Sequence, residues 1–174
     1  MKKGFTLVEL LVVVAILGIL AAVGIVSFGG FLGSAKENAT RSNFNSIVKY
    51  VETELMKCNI GIETEAYLKY VEDPSKYHTL GDGDCSKSFE KISWGILHYI
   101  HQHDEKGFDN PFKPNEQTTG IFDSKSCYGD NVFDSWIWGI TSCYYDESNN
   151  QVSCCASWGE GENNRITRSI PNPY

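Results

Sequence analysis

The stretch Met1–Phe28 reads MKKG followed by FTLVELLVVVAILGILAAVGIVSF, and the fold is decided by how that run is understood. From Phe5 to Phe28 it is apolar and, at about 1.5 Å rise per residue, long enough as a helix to cross a hydrocarbon core about 30 Å thick. Lys2 and Lys3 precede it and place the N-terminus on the cytoplasmic side, so the rest of the chain is expected outside the cytoplasm. An ordinary secretory signal has a shorter apolar core, roughly 7 to 15 residues, closed by a small-residue cleavage site. Ala21 and Ala22 imitate such a site, but the run passes through them. A plain signal anchor accounts for the length and leaves Glu9 without a purpose. An acidic group deep in a bilayer costs about 2.5 to 3.5 kcal/mol on insertion scales and normally has a partner.

The residues MKKG-FTLVE and the block LVELLVVVAILGILAA resemble the class III leader and N-terminal helix of type IV pilins and their relatives. The resemblance covers Gly4, Phe5 and Glu9 residue by residue. It implies that a prepilin peptidase cuts between Gly4 and Phe5 and removes residues 1–4, that Phe5 becomes the N-methylated first residue, and that Glu9 pairs with the Phe5 amine of a neighbouring subunit. The chemistry is sound on its own terms. A free α-amino group has a reference pKa of about 7.7 to 8, so it is largely cationic at neutral pH and neutralises a carboxylate one turn deep in an adjacent helix. Such a pair sets subunit register, as single buried polar groups do in coiled coils. Many pilins carry a proline in this helix; the aligned position here is Val26, which leaves Gly18 and the later glycines as the sites for a bend.

With 174 residues, the chain has room for one globular head beyond the stem. A formal charge of -7 argues against the head as a general nucleic-acid binder, because phosphate affinity comes mainly from lysine and arginine, and leaves DNA only a local basic patch. The six cysteines, Cys58, Cys85, Cys127, Cys143, Cys154 and Cys155, all follow the membrane run, in an oxidising compartment where disulfides are the default. None forms a CxxC pair, so no metal site is expected from them. Cys58 and Cys85 flank one excursion, and a bridge between them is worth roughly 3 kcal/mol by chain entropy. Among the remaining four, a vicinal Cys154–Cys155 bridge is strained, which leaves Cys127 with one of that pair and Cys143 with the other. In the family, a C-terminal disulfide commonly bounds an exposed variable loop, a role the resemblance assigns to Cys127 through Cys155.

The expected organisation is a leader at 1–4, a membrane or filament-core helix at 5–28, and its amphipathic continuation at 29–61. A connecting region with a second helix follows at 62–119, then an antiparallel sheet at 120–174. Gly29, Gly30 and Gly33 soften the stem without ending it. Beyond them Phe44, Ile47, Val48, Val51 and Leu55 recur at helical spacing and predict a stripe that packs on the sheet, the helix ending near Asn59–Gly61. Residues 62–84 read as a turn-rich surface excursion, with only a weak calcium pattern at Asp82 and Asp84. Ser86 or Ser88 caps a helix running to about His103, with Phe89, Ile92, Ile96, Leu97 and Ile100 on its apolar side. His98, His101, His103 and Asp104 read as solvated helix-end groups rather than a metal cluster. Strands are predicted at Ile121–Phe122, Val132–Tyr145, Gln151–Trp158 and Arg165–Ile170, with a hairpin at Asp146–Asn150. In the second strand Trp136, Trp138, Ile140 and Tyr144 share one face and Ile137, Thr141, Cys143 and Tyr145 the other. The second helix and loops are expected to cover the face turned away from the stem helix, although Trp158 or the Trp136–Trp138 pair would also suit carbohydrate. The sequon Asn38-Ala39-Thr40 falls inside a helix and is incidental.

The expectation is therefore an α+β protein with a long N-terminal helix packed on a C-terminal antiparallel head, the type IV pilin fold. The resemblance implies a structural subunit, without enzyme activity or cofactor, stored in the inner membrane and extracted into an extracellular filament that supports adhesion, motility or DNA uptake. The implied partners are other copies of itself, the prepilin peptidase, an assembly ATPase and an inner-membrane platform. The alternative is a pseudopilin or minor pilin of a type II secretion or DNA-uptake machine. A tethered hydrolase finds no support, since no nucleophile elbow or metalloprotease motif is present.

Overall fold

The computed structural model of the chain describes residues 4–72, 83–102, 108–114, 119–121 and 137–174. The leader residues 1–3, together with Cys127, His103, Asp104, Asp82, Phe122 and Trp136, lie outside the described residues. Two compact units divide the chain, one ending at Ala35 and the other spanning Lys36–Tyr174. Helix α1 runs from Leu7 to Asn59 without interruption at Gly29, Gly30 or Gly33. In its first unit every residue from Phe5 to Leu32 is exposed.

Within the second unit α1 becomes amphipathic, and Phe44, Ile47, Val48, Val51 and Leu55 are all buried to 2% exposure or less. Full burial of such side chains is worth about 1.5 to 3 kcal/mol each, which holds this part of the helix to the head. Its end is a Schellman motif. Gly61 sits at φ 78, the amide of Ile62 donates to the Lys57 carbonyl at 2.9 Å, and the amide of Gly61 donates to the Cys58 carbonyl at 3.1 Å.

Helix α2, Glu65–Glu72, stands where the sequence suggests only an irregular excursion. Eight residues are too few to be stable by propensity, so tertiary contacts must hold them. Thr64 caps the first turn by accepting from the Tyr67 amide at 3.1 Å, and its hydroxyl donates to the Gly83 carbonyl at 2.7 Å. Glu54, on α1 and only 2% exposed, accepts from the Glu65 amide and from the Lys57 ammonium, both at 2.5 Å. Glu65 in turn accepts the hydroxyls of Tyr50 at 3.0 Å and Tyr99 at 2.9 Å. The α2 N-terminus is thus tied to α1 and to the next helix through two carboxylates.

Helix α3, Phe89–Gln102, follows, with the Ser88 carbonyl accepting its first bond from Ile92 at 3.0 Å. Four strands come next: β1 Thr119–Ile121, β2 Thr141–Asp146, β3 Gln151–Ser157 and β4 Arg165–Pro171, in that spatial order. The last three form the antiparallel sheet, and β1 adds to β2 in parallel. The β2–β3 hairpin turns at Glu147–Asn150, with Asn150 at φ 50 and Asp146 accepting the amides of Ser148 and Asn149 at 3.1 and 3.3 Å. One hydrophobic core joins the α1 stripe, Phe89, Ile92, Ile96 and Leu97 of α3, and Cys143, Val152, Cys154, Ala156 and Ile170 of the sheet.

Two expectations are corrected here. The second strand begins at Thr141, not Val132, among the described residues: Gly139 takes φ 83, and a side chain there would collide with Asn110 and Phe112, so period-two alternation cannot run through Trp138. Both α1 and α3 lie on the same sheet face, so α3 is not the cover of the opposite one. On that opposite face Tyr144 and Cys155 are nonetheless buried, at 5% and 4%.

Candidate assembly site

The site is built at the start of α1. Thr6 stands at the N-cap, and Glu9 three residues later returns its carboxylate to the cap. Glu9 Oε2 accepts from the Thr6 amide at 2.8 Å and from the Thr6 hydroxyl at 2.7 Å, while the Glu9 amide donates to Thr6 Oγ1 at 3.3 Å. This reciprocal pairing is a capping box, and it satisfies two donors that a helix start leaves orphaned. The negative charge also lies at the positive end of the helix dipole. Among the described residues only Oε2 of Glu9 is engaged. Gly4 and Phe5 precede the helix, and Phe5 is 84% exposed.

Around this polar start the stem is wholly apolar and exposed, including Leu7, Val8, Leu10, Leu11 and Ile16 at 52 to 79%. An apolar surface of that extent does not persist in water; it requires lipid or other helices. A helix of this length and composition passes the requirement for a membrane span.

In the head the cysteines are structural. Cys58 bonds Cys85, with Cα atoms 5.1 Å apart, and Cys143 bonds Cys154 directly across β2 and β3, with Cα atoms 4.1 Å apart. Cys155 is also disulfide-bonded. Among the described residues the histidines do not converge: His98 lies against Trp94, and His101 Nδ1 contacts the Thr119 carbonyl at 3.1 Å. Asp84 caps a local turn by accepting from the Ser86 amide at 2.8 Å. Of the aromatic groups named for sugar, the two among the described residues have internal partners: Arg41 stacks 4.1 Å over Trp158, and Phe112 meets Trp138 edge-on at 5.8 Å. The sequon is closed as well, since Thr40 is fully buried and its hydroxyl donates to the Lys36 carbonyl at 2.9 Å.

Sequence reasoning missed Thr6, although its signal was present: a threonine three residues before a glutamate, ahead of an apolar run, is the capping-box pattern. It also missed Glu54. A glutamate on an amphipathic helix reads as solvated, and only the approach of α2 from eleven residues away makes it a buried anchor.

Residues 1–25 match the family description "Prokaryotic N-terminal methylation motif". The chain is 44% identical over 46 residues to the "Type IV major pilin protein PilA" of Myxococcus xanthus (strain DK1622), covering 26% of this chain and 21% of that protein. It is 38% identical over 56 residues to a "Type IV major fimbrial protein FimA" of Dichelobacter nodosus, covering 32% of this chain and 36% of the relative. The match thus spans between a fifth and about a third of these relatives' lengths. No solved structure matches the chain. Over its N-terminal methylation motif and stem, the chain is similar to type IV pilins.

Proposed function

We propose that the protein is the structural subunit of a type IV pilus. It resides in the inner membrane as a precursor, loses residues 1–4 to a prepilin peptidase, is N-methylated at Phe5, and is passed by an assembly ATPase and membrane platform into an extracellular filament. The observation that carries the reading is the capped carboxylate at the head of an exposed apolar helix. Thr6 holds Glu9 through Oε2 within the chain, and the second oxygen remains to meet the Phe5 amine of another copy. The intrachain cap lowers the cost of holding the carboxylate in lipid before assembly, and the intermolecular pair then selects one register among many apolar ones. Stem packing exchanges lipid contacts for helix contacts. Head-to-tail addition of identical copies is heterologous and does not close, which is the geometry of a filament. The role is structural, not catalytic.

The test is the intact mass of this chain in material sheared from cells, measured before and after reduction. The expected mass is that of Phe5–Tyr174 plus one methyl group, rising by two hydrogens for each disulfide opened. A chain that stays in the membrane fraction and keeps Met1–Gly4 would sink the proposal.

A further inference from the structure

The disulfides differ in what protects them. Cys143, Cys154 and Cys155 are 3%, 1% and 4% exposed, and the Cys143–Cys154 bridge is sealed in the core between α1, α3 and the sheet. Cys58 and Cys85 are only half-buried, at the last turn of α1 and in the turn that leads into α3. Thiol–disulfide exchange needs in-line access of a thiolate to sulfur, so burial slows it. This less protected bridge also spans the segment between α1 and α3, which carries α2. That segment has a second, non-covalent anchorage: Glu54 on the Glu65 amide, Glu65 on Tyr50 and Tyr99, Thr64 on the Gly83 carbonyl, and the Cys85 amide donating to Glu63 Oε2 at 3.2 Å.

We propose that Cys58–Cys85 is a redox-sensitive clip on the α2 segment, opened by small thiols of the glutathione class while the bridges of the sheet stay closed. A thiolate attacks one sulfur, the Cys58–Cys85 bond breaks, and the departing cysteine leaves with the bonding pair and takes a proton from water. A second thiol attacks the mixed disulfide, so that two cysteines are reduced and two small thiols are oxidised to their disulfide. The segment then stays docked by its hydrogen bonds alone and opens locally more often, without unfolding of the sheet. This device does not depend on the filament reading, because it uses only the head.

The experiment uses the full chain in detergent micelles, treated with reduced glutathione under native conditions. Newly freed thiols are alkylated and located by mass spectrometry, and amide hydrogen exchange is followed in parallel. Cys58 and Cys85 should label at least tenfold faster than Cys143, Cys154 and Cys155. Exchange across Glu65–Glu72 should then rise at least tenfold, with β2 and β3 unchanged. The double variant Cys58→Ser/Cys85→Ser should show the same exchange pattern without reductant. Labelling of all the cysteines together, labelling of Cys143 first, or unchanged exchange in α2 after selective reduction would each overturn the proposal.

Discussion

At the scale of single residues, two carboxylates carry more than their surroundings predict. Glu9 closes the capping box from Thr6, and its second oxygen is the group proposed to set register between copies. Glu9→Gln keeps an oxygen for the cap and removes the charge, so membrane insertion should survive while sheared filament yield falls at least tenfold; undiminished filaments would refute the register role. Thr6→Val removes the cap at a cost of about 1 kcal/mol and should fray only the first turn, read as faster exchange of the amides just after it. Glu54 is the opposite case, buried and fully engaged by Lys57 and the Glu65 amide. Glu54→Ala leaves the half-buried Lys57 ammonium and the Glu65 amide without their acceptor, and should lower head stability by about 3 kcal/mol, measured as a shift in denaturant midpoint.

Elements show where local preference was sufficient and where it was not. The 3.6-residue recurrence of apolar residues in α1 and α3 was legible because each helix is long enough for its period to dominate. The Gly61 stop and the Asp146–Asn150 turn were legible because positive φ favours glycine and asparagine. Helix α2 was not legible, since its eight residues sit between turn signals and are held by groups on α1 and α3. Thr64→Ala should therefore destabilise α2 alone, by about 1 to 2 kcal/mol, visible as raised hydrogen exchange over Glu65–Glu72 with α3 unaffected. Gly139→Ala should be worse than a surface substitution, because the left-handed backbone is strained for alanine and the new methyl meets Asn110 and Phe112. A melting temperature within a degree of the parent would show that this corner relaxes freely.

On the scale of the whole molecule, titration reports how the head is held. Burial, with the nearby Glu54 and Glu65 carboxylates, pushes the Tyr50 phenol far above its ordinary value of 10.0. A group whose folded pKa is raised contributes stability that is complete below its unfolded pKa and is lost as pH rises beyond it, so the loss begins near pH 10. Denaturant midpoints of the detergent-solubilised chain should fall above that pH, and Tyr50→Phe should flatten this alkaline limb. At the acid end, the hydrogen bond from the Asn149 side chain, followed by those from Gln151 and the turn amides, holds Asp146 below its ordinary 3.8. The sign is reversed: the contribution is present above about pH 3.8 and fades below it, loosening the hairpin first.

Sequence alone determined the apolar stem and the faces of the long helices, because a continuous apolar run and a 3.6-residue period are properties of neighbouring residues. The capping box was equally local, and was there to be read in Thr6 and Glu9. Tertiary structure decided the rest. It set Cys143 opposite Cys154 and made the first strand parallel to the second. It brought both helices to one face of the sheet and turned Glu54 from a solvated charge into the anchor of α2. These outcomes depend on pairings between residues far apart in the chain, whose free energy comes from burial and hydrogen bonds that exist only once the partners have met.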